Sequence, residues 1–108
     1  MIEEHTTTVL MVPLKIRIWR QGRTYYAVVI DDAAQYFLND FIDHEVTLNI
    51  NNNIKLVTRI IRLKQGAGRL AMYLPTRLRP LWEELRSKDP LFAAIIMTSN
   101  GEGEANDK

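Results

Sequence analysis

The groups in this 108-residue chain that could exchange protons or attack a substrate are few, and their spacing supports little. His5 lies near the N-terminus, and His44 stands between Asp43 and Glu45. A metal-binding or general-base role for His44 would need partners that the spacing does not supply, so it reads as a solvated loop histidine. Asp31-Asp32 could pair as a carboxylate dyad, but an Asp directly before an amphipathic run is what a helix N-cap requires. Ser87 and Ser99 are the only serines and belong to no nucleophile motif. Gly66-Ala67-Gly68 lacks the following helix and Lys-Ser/Thr pair of a phosphate loop and reads as a hairpin turn. Cysteine is absent, which excludes disulfides, thiol nucleophiles and thiolate zinc sites. No catalytic residue, metal or cofactor is expected, and no small-molecule substrate is evident.

Charge carries more information. Residues 15–98 hold 13 Lys and Arg against 8 Asp and Glu, a net of +5, while residues 1–14 and 99–108 are each net negative by two. From Lys55 to Arg79 seven cations follow one another over 25 residues with no acid between them. A basic body of this kind attracts phosphate irrespective of base sequence. Met1–Thr8 is acidic and Thr-rich where a signal peptide would be basic and then apolar, and no run of about 18 apolar residues occurs, so a cytoplasmic chain with no membrane span is expected.

The elements that must position these cations follow from periodicity. "LKIRIW" alternates and "TYYAVVI" is β-branched and aromatic, as strands are. A three-residue loop Arg20-Gln21-Gly22 would pair Ile18 with Thr24 and Ile16 with Tyr26, turning Tyr26 and Val28 inward and Tyr25 outward. "DDAAQYFLNDF" places Ala34, Phe37, Leu38 and Phe41 on one helical face, and "EVTLNI" returns to period two with Val46, Leu48 and Ile50 inward. The second half runs "IKLVTRIIRLK", a Gly turn, "RLAMYL", "PTRLRPLWEEL" and "PLFAAIIM". Pro80 places the start of the second helix near Arg79, after an irregular "PTRL".

Both halves therefore read strand, strand, helix, strand. Sliding by 44 residues superposes Ile16 on Ile60, Gln21-Gly22 on Gln65-Gly66, Val28 on Met72 and Leu38 on Trp82; the last strand needs two more, bringing Val46, Leu48 and Ile50 onto Phe92, Ala94 and Ile96. Duplication is the better reading than chance. The organisation expected is an N-terminal segment 1–13, disordered in part, a duplicated body 14–97 with repeats 14–50 and 54–97, and an acidic disordered tail 98–108.

Two ββαβ copies, each with a basic Gly hairpin and a helix entered after an "ID" or "LP" step, resemble the cradle-loop barrels. This group includes the double-psi and RIFT barrels and the swapped-hairpin barrels of AbrB-type transcription factors. "GRLAMYLPTRLRPLWEEL" is the stretch most similar to those factors, whose units read Gly-Arg, an alternating strand ending in Ile-Pro, and a short Leu-rich helix. The Gly-Asp that commonly precedes their last strand is replaced here by "DHEV" and "KDPL". The resemblance implies a mainly β fold, a closed six-stranded double-psi or RIFT-like barrel with two short helices, and it implies DNA binding. Closure has its own rationale, since joining the halves pairs strand edges that an open sheet would expose.

The function expected is non-enzymatic nucleic-acid binding, DNA before RNA. Arg20 and Arg23 would flank one hairpin tip and Lys64 and Arg69 the other, with Arg17, Arg59, Arg62 and Arg77 alongside and Tyr25 available to stack on bases, as Trp19 and Tyr73 also are. The competing expectation is a protein partner. Val29, Ile61, Leu63 and Ala71 would face outward in the register above, and apolar surface mixed with Arg suits an accessory subunit of a larger assembly such as a polymerase-like machine.

Overall fold

The computed structural model describes residues 7–65, 68–88 and 90–100. The first six residues, Gly66, Ala67, Asp89 and the acidic tail from residue 101 lie outside the described residues. Six strands, β1 (Thr7–Gln21), β2 (Thr24–Val29), β3 (Glu45–Ile50), β4 (Ile54–Arg62), β5 (Leu70–Leu74) and β6 (Leu91–Asn100), close into a barrel in the order β1-β2-β5-β4-β3-β6. Every pairing is antiparallel. Helix α1 (Asp32–Leu38) joins β2 to β3, and α2 (Arg79–Arg86) joins β5 to β6. Exchanging the halves, β1 for β4, β2 for β5 and β3 for β6, reproduces the same ring of neighbours. Among the described residues no helix is long and apolar enough to cross a membrane.

The local signals for the helices hold. Asp31 is the N-cap of α1: one carboxylate oxygen accepts the Ala34 amide at 2.8 Å, and the other accepts the Lys15 amide of β1 at 2.9 Å. α2 begins at Arg79 with Pro80 in its first turn, after a short 3-10 turn over Thr76–Leu78. Pro75 closes that entry by accepting the Trp82 indole N–H at 2.7 Å. Leu38 of α1 and Trp82 of α2 are fully buried in the core with Ile16, Leu48, Ile50, Ile60, Met72 and Ile95. Phe37, expected on the core face, is 42% exposed and packs on Phe41.

The first hairpin differs from expectation. Its turn is two residues, Gly22-Arg23, with Gln21 opposite Thr24, Ile18 opposite Ala27 and Ile16 opposite Val29. Gly22 has φ +62, as the first central position of a type II′ turn demands, and no neighbour lies within 4 Å of where a Cβ would sit. The register moves by an odd number of residues, so every β2 side chain changes face. Tyr25, Ala27 and Val29 point into the core with no exposure, and Tyr26 and Val28 are half-buried outside. Both the outward Tyr25 and the outward Val29 of the sequence reading are thereby corrected.

β6 also presents the opposite face. Leu91, Ile95 and Met97 are buried, whereas Phe92 is 65% exposed and Ala94 and Ile96 are half-buried. The 44-residue slide still matches the buried pairs Ile16 with Ile60 and Leu38 with Trp82, but a slide of 45 is needed to match Tyr25, Ala27 and Val29 to Leu70, Met72 and Leu74. Val28 and Met72 do not share a parity. β1 and β6 also outrun the boundaries read from sequence, pairing from Thr7 opposite Asn100 down to Ile16 opposite Leu91.

Candidate nucleic-acid interface

Two of the four cations expected at the hairpin tips are held by the fold. Arg69 donates Nε and Nη2 to the Val29 carbonyl at 3.0 and 2.8 Å and Nη1 to Asp32 at 3.1 Å, fastening the second hairpin to α1. Gln35 of α1 reinforces this by accepting the Leu70 amide at 3.0 Å. Arg20 reaches Glu83 of α2 at 3.1 Å, and the Tyr25 hydroxyl donates to the same carboxylate. That Tyr25 bond, with Arg86 and Arg20 beside it, holds the Glu83 carboxyl below the ordinary glutamate range. Each helix is thus clasped by the hairpin of the other half, at opposite ends of the β2–β5 pair.

The clasp has an energetic consequence. Arg69→Ala removes three charge-assisted hydrogen bonds and leaves the Val29 carbonyl short of its donors, so a loss of about 2 kcal/mol in urea-unfolding stability is expected. A purely solvated Arg69 would show no measurable change.

The outer face of β1, β2, β5 and β4 carries others of the expected cations. The second hairpin folds back over the barrel: Leu63 and Ala71 are buried outside the main core, and Gln65 accepts the Gln21 side-chain amide at 2.7 Å. This arm covers part of the apolar outer parity, so Leu63 and Ala71 are not the exposed partner surface that the sequence suggested. It also brings Lys64 to the tip that carries Arg23, and both are exposed. Among the described residues neither makes an ion pair or hydrogen bond.

Beneath this arm two rows cross the sheet. Arg17, Val28, Ala71 and Ile61 are successive register partners on β1, β2, β5 and β4. In the neighbouring row Trp19, Tyr26 and Tyr73 are partners in the same way. Trp19 stacks on Tyr26 with centroids 5.6 Å apart, and Tyr26 meets Tyr73 edge-on at 5.5 Å. A concavity of about 300 Å³ lies between Trp19, Tyr26 and the arm residues Arg62, Lys64 and Gln65. A second, of about 540 Å³, is lined by Val57, Arg59, Tyr73, Pro75 and Glu45. Ile61 borders both.

Arg62 donates to Asn39 and to the Gly68 carbonyl, and Arg59 donates to the Asp43 carbonyl; both remain exposed and charged. Arg77 is exposed in the short turn that follows Pro75, and Pro75 itself lines the larger concavity. The face therefore gathers Arg17, Arg23, Arg59, Arg62 and Lys64, with Arg77 in the turn after Pro75, while Arg20 and Arg69 act as clasps and Tyr25 belongs to the core. Tyr26 is the residue that sequence reasoning missed. The signal that would have found it is Gly22, read as the first residue of a two-residue turn.

Comparison with protein-family models, with curated proteins and with solved structures gave no match.

His44 is exposed and packs edge-on against Phe41 at 5.4 Å. Among the described residues no three His, Asp or Glu side chains lie close enough to hold a metal ion.

Proposed function

We propose that this chain is a non-enzymatic nucleic-acid-binding protein, DNA before RNA, that engages phosphates with Arg23, Lys64 and Arg62 on the outer face of β1, β2, β5 and β4. The observation that supports this best is the co-location of exposed cations with the Trp19-Tyr26-Tyr73 row, since phosphate attraction and ring stacking are the two sequence-tolerant terms of such binding. The ring of strands that survives exchange of its halves supports a second part of the reading, that two fused ββαβ units form a barrel of the double-psi or RIFT kind. Fluorescence anisotropy with labelled oligonucleotides tests the binding: affinity should fall steeply as salt rises, and no binding to any nucleic acid at low salt rejects it.

A protein partner is the second reading, and one feature favours it. From Thr7 to Leu14 the edge of β1 away from β6 has no strand partner among the described residues, and Val9 and Met11 beside it are 58% and 62% exposed. An open apolar edge of this length suits strand addition by another chain. Co-purification of one specific protein through nuclease and salt washes, without oligonucleotide binding, would select this reading over the first.

A further inference from the structure

We propose that the outer face selects single-stranded over duplex nucleic acid, seating unstacked bases in the two concavities on either side of Ile61. This rests on the nucleic-acid reading above and adds the form of the ligand. The aromatic rings lie along the barrel wall of β1, β2 and β5, and the two-stranded ribbon in which β1 and β6 run past the barrel, Thr7–Leu10 with Met97–Asn100, carries no cation to hold it in a groove. Such rings can meet the flat face of a base, and in a duplex those faces are covered by neighbouring pairs, leaving only edges exposed in the grooves. A single strand turns its bases outward at no cost in pairing and can lay them on aromatic side chains.

The two concavities suit that task. The smaller one has Tyr26 and Trp19 as its wall and Arg62 and Lys64 at its rim. The larger one has Tyr73, 56% exposed, facing Val57, 65% exposed, with Pro75 completing the apolar lining. Charge gives the track a direction. Arg62 and Lys64 line the smaller concavity with no acid among its walls, whereas Glu45 stands opposite Arg59 at the rim of the larger one. Phosphates therefore follow Arg23, Lys64 and Arg62, and a base turns inward past Ile61 onto Tyr73, away from the Glu45 carboxylate. The Gln21–Gln65 bridge holds the arm in place above the first base.

The test compares a labelled oligothymidylate, its ribose counterpart and a short duplex, binding to the intact chain at low salt. Single strands should bind at least about tenfold more tightly than duplex and quench the emission of Trp19, which is half-buried, while Trp82 in the core is untouched. Tyr73→Ala should weaken single-strand binding on the order of tenfold with the salt slope unchanged, and Tyr73→Phe should restore it. Tyr36→Ala, which removes the 85% exposed ring on α1, should change nothing. Duplex binding as tight as single-strand binding, or single-strand binding indifferent to Tyr73→Ala, overturns the selectivity and leaves the nucleic-acid reading standing. Failure to bind any of the three ligands removes both.

Discussion

Tyr25→Ala is expected to cost about 3–5 kcal/mol of folding stability, the range for deleting a buried aromatic ring, because the ring has no exposed surface and lies among core residues. Tyr25→Phe should cost about 1–2 kcal/mol, since it removes only the hydroxyl donated to Glu83. Urea unfolding of the two variants beside the parent chain separates ring from hydroxyl. The measurement also tests the register of the first hairpin. If the turn held three residues, Tyr25 would face solvent, and alanine there would cost less than about 1 kcal/mol while weakening any stacking on a ligand. The clasp on Glu83 adds a dependence between the halves, since a slack Tyr25 would free α2 from the first hairpin.

The second large effect concerns binding. The double variant Arg23→Glu/Lys64→Glu reverses two free cations at one tip, so oligonucleotide affinity at low salt should fall by about a hundredfold or more. The slope of log affinity against log salt should become shallower by about two units for duplex and slightly less for single strands, as expected when two phosphate contacts are lost. Stability should hardly change, because neither side chain has an internal partner among the described residues. The contrast with Arg69→Ala is informative: that variant should lose stability first and affinity only through unfolding. Anisotropy titrations at several salt concentrations, paired with urea melts, distinguish a phosphate contact from a clasp. An unchanged affinity in the double variant would remove the tip from the interface.

Several of these distinctions were legible along the chain, and several were not. A helix cap at Asp31 or Asp32, which the structure resolves to Asp31, the start of α2 at Arg79 and the inward parity of Val46, Leu48 and Ile50 depend on neighbours within a turn or on alternation with one apolar face, and each was readable directly. The closed six-stranded mainly β architecture was expected from the twice-repeated order of elements taken together with its resemblance to the cradle-loop barrels. "TYYAVV" and "LFAAIIM" were different, because both of their parities are apolar or aromatic. With hydrophobicity on either face, burial gives no preference between registers, and the decision passes to the turn. Gly22 at positive φ made it a two-residue turn and exchanged Tyr25 for Tyr26 on the outer face.

The cations show the same division. Their number and their concentration in the body of the chain were properties of the sequence alone, because charge is carried residue by residue. Which of them are free was decided by tertiary structure. Arg20 meets Glu83 63 residues away and Arg69 meets Val29 40 residues away, and no local pattern announces either partner. Composition thus determined that the body of the chain would be basic, and barrel closure determined which charges brace it and which face solvent, because a guanidinium that finds a carbonyl or carboxylate across the fold is held there by hydrogen bonds that only the assembled ring brings within reach.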